Sequence, residues 1–544
     1  MINRRTFIKS VTAVGTAVAL SPFDLLSKYA NAASPGFTIH PYIESHPDAV
    51  FILRTSVDVK TNSEAIREVG LSFGRSVILA KDVADGGIPL TNRVVIKPNL
   101  TPRDRTHPQY TVERSMGIVT DANFVEGIIQ SMKELGFGGS QFFIREVNGY
   151  SDFEAGGYIS MAARTGADIR ELGSPVGVLA PEFIQWKDVP NGVWFNRIPY
   201  LWPTNAPDTW LLNIAKFKAH GMGLTLCAKN LQGTIAANYQ QHCMSYNSNM
   251  SIDPQDIHID AKARIMANYL RHVAEGIPRW DRPEDLGGLH METWATRCLD
   301  NNSVTTAGLH IIEGVYGRDG HFMDGPSPEG LATDYMCNVI IFGKNPFYVD
   351  IIGHYLGGHE PGNFGLFHMA RERGMISHFN PHLIPLYEWH TNGTATMSPL
   401  SDFTRTPLKS YYLCRDYNGQ NEAYWHLVNE TYDYGPGIDA SSRVNVTQSG
   451  FGRNRATGIW SATMTVKNTS GASINAPIQV VLTNLSVNAT MTNNKGMYNG
   501  SPYITISNGS LPPGAQVSTP IQFTNPSNDF INYLPATYSG GLLS

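Results

Sequence analysis

Charge is scarce in this chain. Only 16% of its 544 residues are Asp, Glu, Lys or Arg, and the formal net charge is −5, whereas soluble proteins usually carry ~25% charged residues. A general nucleic-acid binder displaces counterions with a basic surface. This composition supplies none, so no nucleic-acid partner is expected. Cysteine is scarce as well: Cys227, Cys243, Cys298, Cys337 and Cys414 are far apart, and no CxxC pair occurs. Neither a self-contained iron–sulfur cluster nor a zinc ribbon can be written from them. Cys227 and Cys243 are the nearest pair for closing a loop, and unpaired structural thiols are the plainer expectation. GxGxxG, Walker, GxSxG and HExxH patterns are all missing, which removes the commonest dinucleotide, NTPase, esterase and zinc-protease signals. No apolar run near the start reaches the ~20 residues of a membrane span, so no stable transmembrane segment is expected in the mature chain.

What the first residues do contain is an address. Arg4 and Arg5 with Phe7 and Lys9 precede the mildly apolar "VTAVGTAVAL", and Ala30, Asn31 and Ala32 supply small residues suited to cleavage after Ala32. The pattern resembles a twin-arginine signal peptide. It implies the twin-arginine export machinery as a partner and a periplasmic or extracellular destination. Proteins on that route fold, or load a cofactor, before they cross.

Two textures follow. Residues 40–435 mix helix and strand patterns. "RVVIKPNL" reads as a buried strand, Thr120 or Asp121 as the cap of a helix with Phe124, Ile128, Met132 and Leu135 on one side, and "QFFIREV" as the next strand. Such a unit calls for a parallel pair with a crossover. "TWLLNI" is a strand followed by a lysine-rich loop, and "LTLCAKNLQG" a short helix ending at Gly233. "GLHIIEG" and "NVIIFG" are further strands, the second leading into a helix capped by Asn345 with Pro346 in its first turn. The stretch from about residue 238 to 306 is polar, partly helical, and has the character of an insertion. The expected fold is α/β, an open mostly parallel sheet with flanking helices. Beyond residue 441 the texture becomes all-β: short Val/Ile/Thr-rich strands at Trp460 to Lys467, Ile478 to Leu482, Tyr503 to Ile506 and Val517 to Phe523, separated by Asn, Gly and Pro. After Ala456 only Lys467, Lys495 and Asp529 are charged. This segment resembles an immunoglobulin-like β-sandwich, serving either attachment to a surface or glycan or simple stabilisation.

Ligands of open α/β sheets bind beyond the carboxyl ends of the strands. Lys97 and Asn99 follow the first strand, Lys216, Lys218 and His220 the third, and Glu313, Arg318, Asp319, His321 and Asp324 the next, with Asp350 early in the last helix. Parallel packing is expected to gather them. Together "VVIKPNL", "TDANFVEGIIQSMKELG", "LLNIAKFKAHGMGLTLCAKNLQG", "DGPSPEG" and "NPFYVDIIGHYLG" occur in the order seen in the domain of unknown function 362 family, which residues 93–375 resemble. The resemblance marks Lys97, Asn99, Lys216, Lys218, His220, Lys229, Asn230, Gly233, Asp324, Gly325, Pro326 and Asp350 as motif positions. It brings no assigned chemistry. Some relatives carry iron–sulfur modules, for which this chain lacks the cysteines.

Chemistry is therefore argued from residue type. Lysines converging on a helix N-terminus favour a small anionic ligand, phosphate or carboxylate. Lys97, Asn99, Lys216, Lys229 and Asn230 are the expected substrate-binding set. His220, Lys218 and Asp324 are the candidate catalytic set, with His220 the natural proton carrier near neutral pH and a crowded lysine a candidate base or amine nucleophile. Glu313, Asp319 and Asp350 offer hard oxygen ligands for a divalent metal, and His354 and His359 beside Glu360 offer another approach to one. A lysine–carboxylate salt-bridge network with no ligand uses the same residues. Enzyme, non-catalytic extracytoplasmic receptor and surface-adhesion protein all stay open at this point.

Overall fold

A computed structural model describes residues 34–100, 116–220, 223–239, 246, 252–278, 288–410, 425, 427, 438–474, 477–507, 509–540 and 542. The stretch read as an export signal, residues 1–32, and Cys243 and Cys414 lie outside the described residues.

The larger body is built on a ten-stranded mixed sheet. Nine of its strands, numbered in chain order, are β1 (Val50–Arg54), β2 (Arg93–Pro98), β3 (Phe142–Ile144), β4 (Asp168–Ile169), β5 (Thr209–His220), β6 (Leu309–Arg318), β7 (Asp334–Gly343), β8 (Leu386–Trp389) and β9 (Ala395–Met397). Their spatial order is β9-β8-β1-β7-β6-β5-β2-β3-β4, and Gly223–Leu224 folds back on β5 as the tenth. From β6 to β4 the neighbours are all parallel, while β7 runs antiparallel to β6 and to β1. The sheet is mostly parallel, as expected. The reversal at β7 follows from its connection, since the turns between Arg318 and Asp334 contain no helix to cross the sheet and return the chain antiparallel.

Both faces of the sheet are covered, which is why its strands read as continuous apolar runs. On one face lie α1 (Ser63–Val77) and α2 (Ala122–Glu134). Asp121 takes the cap of α2 by accepting Asn123 N, and Thr120 Oγ1 instead accepts Asn99 N and donates to Ile214 O. The two helices touch backbone to backbone: a Cβ on Gly70 would stand 2.1 Å from Phe124 O, and one on Gly127 2.1 Å from Arg67 O. On the other face lie the one-turn α3 (Cys227–Asn230), α4 (Leu289–Val304) and α5 (Pro346–Leu356). Asn345 caps α5 through Phe347 N and Tyr348 N. Although α4 falls in the polar stretch read as an insertion, it packs with His290, Glu292, Arg297, Asp300 and Asn301 buried. Asp300 accepts Trp194 N and Phe195 N and pairs with Arg373, so its charge is met inside the fold rather than by water.

The C-terminal residues form two antiparallel sheets around one core, consistent with a β-sandwich. Trp460–Asn468 lies between Val444–Gln448 and Gln516–Thr524, and Ile478–Thr483 between Ser501–Ser507 and Leu534–Ser539. The four strands read from the sequence are all present, each one to three residues longer. No described helix is long and apolar enough to cross a membrane.

Candidate functional site

The cations expected in a loop stand on a strand. β5 continues through Lys216, Lys218 and His220 because Ala215, Phe217 and Ala219 between them are buried in the core under α3, α4 and α5. Leu212 and Ile214 enter the opposite core under α1 and α2. Period-two alternation turns Lys216, Lys218 and His220 toward the α1/α2 face. Asn213 goes the other way and donates to Cys227 O. "GLHIIEG" likewise continues to Arg318, which places Glu313 opposite Lys216 in register.

On the α1/α2 face, Lys216 Nζ lies 2.7 Å from Glu313 Oε2, both side chains wholly buried, and 3.5 Å from the centre of the Tyr316 ring. Glu313 also accepts Asp121 N and Val315 N, and Tyr316 donates its hydroxyl to Asp121 Oδ2 at 2.7 Å. Burial raises the Glu313 carboxyl above the usual carboxylate range, against the opposing pull of Lys216. Burial, with the charges of Asp121 and Glu313, pushes the Tyr316 phenol well up. Farther along β5, Lys218 Nζ is 5.5 Å from the centre of the Phe322 ring. The His220 ring meets His321 and Phe322 edge to face.

On the α3 face, Lys97 Nζ lies 2.5 Å from Glu146 Oε2 and 3.0 Å from Asn230 Oδ1. Asn230 Oδ1 also accepts Asn99 Nδ2, and its Nδ2 donates to Lys97 O and Asn213 Oδ1. Burial lowers the Lys97 ammonium; Glu146 opposes that and nearby Lys229 adds to it. Gly233 leaves room for the pair, since a Cβ there would stand 2.5 Å from both Lys97 Cε and Glu146 Oε1. The Lys-Asn-x-x-Gly run thus has a physical reading: Asn230 and Gly233 build the cradle of the Lys97–Glu146 pair. The ammonium of Lys229, a residue only 9% exposed, makes no hydrogen bond or ion pair with any described residue.

Residues 94–354 match the family model described as Domain of unknown function (DUF362). No curated protein matches the chain. The DUF362 segment holds every residue of both buried clusters, and its description assigns no chemistry.

Within the DUF362 segment the remaining expected residues are dispersed. Asp350 accepts Cys227 N and Ala228 N at 2.7 and 2.9 Å, holding the start of α3, and burial pushes its carboxyl up to about 7. Asp319 accepts Thr333 N, and burial raises it to about 6. Asp324 is exposed in a tight turn closed by reciprocal backbone bonds with His321. Gly325 there passes so close to Ala332 that a Cβ would stand 2.3 Å from its Cα; the preceding Arg318 forks onto Asp334. Glu313, Asp319 and Asp350 do not converge, and no group of three metal-ligating side chains occurs among the described residues. His354 and His359 each engage a backbone carbonyl through Nε2, of Leu224 and Leu408, and their rings are 6.3 Å apart. Cys227, Cys298 and Cys337 are free thiols.

The structure therefore unites Lys97, Asn99 and Asn230 with Lys229 nearby on one face, and Lys216 with Glu313 on the other. It leaves Asp319, Asp324 and Asp350 apart. Sequence reasoning missed Glu146, Asn213, Asp121 and Tyr316 as members of these clusters. Glu146 closing a strand read as "QFFIREV" was the available signal, because a carboxylate at a strand end can meet the lysine ending its parallel neighbour. At the same sheet edge, a cavity of about 400 Å3 is lined by Asp121, Asn123, Arg164 and Tyr316 among others.

Proposed function

We propose that the protein is an enzyme acting on a small phosphate- or carboxylate-bearing substrate, recognised at the α3 edge of the sheet by Lys229. The observation that carries this reading is that the Lys229 ammonium has no hydrogen-bond or ion-pair partner among the described residues. A largely buried ammonium with no counter-ion among the described residues favours an arriving negative charge, and its neighbour Lys97 is already neutralised by Glu146. An arriving anion supplies what Lys229 lacks, with the Asn99 amide nearby, whereas both N–H groups of Asn230 are committed to Lys97 O and Asn213 Oδ1. His220 and Lys218, on the α1/α2 face of β5, stand across the sheet from Lys229 and are not part of this binding site. A divalent metal is not needed for recognition, because Lys229 provides the positive charge.

Melting of the full chain with inorganic phosphate and a panel of phosphate esters and carboxylates tests the reading. At least one should raise the melting temperature of the wild type and leave Lys229→Met unmoved. A shift that persists in Lys229→Met removes the assignment. Turnover of the stabilising compound by the wild type separates an enzyme from a receptor.

Export by the twin-arginine route to the periplasm or outside the cell belongs to the same proposal, as does an immunoglobulin-like role for the sandwich as a stabilising appendage. Arg4, Arg5, Phe7 and Lys9 with the Ala30-Asn31-Ala32 site support the first. Replacing Arg4 and Arg5 by lysine should leave the uncleaved chain in the cytoplasm; unchanged export would remove the route.

A further inference from the structure

The cavity of about 400 Å3 at the α1/α2 side of the sheet edge touches none of Lys97, Lys229 or His220. It has the size of a small-molecule site and the position expected of one, beyond the carboxyl ends of parallel strands. Its walls carry opposite charges. One is Asp121, 6% exposed, whose carboxylate accepts Asn123 N, Asn123 Nδ2 and the Tyr316 hydroxyl but pairs with no cation among the described residues. The other is Arg164, a half-exposed side chain whose Nε and Nη2 grip Glu126 and whose Nη1 makes no hydrogen bond with a described residue. Thr61 and Ser160 add hydroxyls, and Met116 and Val119 add apolar wall.

We infer that this cavity binds a small zwitterion of the free amino-acid class. Its ammonium meets the Asp121 carboxylate and its carboxylate the free edge of Arg164. A simple anion would leave Asp121 without a cation and face its charge. A simple amine would leave the Arg164 edge unmatched. Only a ligand carrying both charges a few bonds apart answers both walls, and the apolar residues between them accommodate a short side chain.

Isothermal titration of the full chain at neutral pH with the twenty free amino acids tests this. At least one should bind saturably; its N-acetyl and its decarboxylated analogues should not. Arg164→Gln should weaken binding at least tenfold. Arg164→Lys, which keeps the charge beside Glu126 and so protects folding, should also weaken it because the forked edge is gone. Lys229→Met should leave this binding unchanged, which separates the cavity from the proposed anion site. Binding by no member of the panel overturns the inference, as does binding indifferent to acetylation or to both Arg164 variants.

Discussion

Gly233 is packed directly against Lys97: a Cβ at position 233 would stand 2.5 Å from Lys97 Cε, and as close to Glu146 Oε1. Gly233 is therefore required by the ion pair rather than by backbone conformation. Gly233→Ala has to part Lys97 from Glu146 or move the turn that follows α3, and breaking a buried pair costs about 3–5 kcal/mol. Urea denaturation of Gly233→Ala should show a loss approaching that range. A loss below about 1 kcal/mol, the level of an ordinary substitution, would mean the pair yields freely.

Two lysines of one cluster should respond oppositely to the same change. Lys97→Met leaves Glu146 buried beside a methyl group and should destabilise the fold by about 3–5 kcal/mol. Lys229→Met removes a buried cation that no described residue neutralises, so it should leave the unliganded fold as stable as the wild type or more so, the signature of a residue kept for function. Comparable losses in both variants would make Lys229 an ordinary structural lysine.

The layered architecture was legible because both faces of the sheet are apolar: the strands ending at Pro98 and Ile144, the α2 helix and the Asn345 cap follow from local pattern. The length of β5 was not. Lys216, Lys218 and His220 look like a solvated loop until Ala215, Phe217 and Ala219 are seen as the buried half of a two-sided strand. Their facing away from Asn213, and so from Lys97 and Lys229, is a consequence of strand parity, which a residue list at strand ends does not carry. Lys216 meeting Glu313 realises the salt-bridge alternative that the composition allowed. The cap role of Asp350 depends on the docking of α3 against α5, a long-range contact with no local signal.

Asp319 should make stability depend on pH. Its carboxyl is raised to about 6, burial outweighing the Thr333 N–H, so the folded chain holds a proton that the unfolded chain, near 4, has already released. That contribution is present below about 4 and lost as pH rises through about 6. Asp319→Asn keeps an acceptor for Thr333 N and never ionises. Denaturation at pH 4.5 and pH 8 should therefore show the variant gaining on the wild type at the higher pH. An equal difference at both would show that Asp319 does not titrate in this window.

His272 is held between two carboxylates, Glu292 at 3.0 Å from Nδ1 and Glu372 at 2.7 Å from Nε2. It joins helix Ala261–Ala274 to α4 and to helix Gly365–Glu372, with Arg271 bridging to Glu372 as well. Glu292 is fully buried, so His272→Leu takes away the donor that meets its charge and should cost about 3–5 kcal/mol. Adding Glu292→Gln removes the charge itself, so the double variant should recover part of the loss. A coupling of at least about 1 kcal/mol is expected from the double-mutant cycle. Strict additivity would show that His272 and Glu292 act independently, and that α4 is held by its other buried partners, Asp300 and Arg373 foremost.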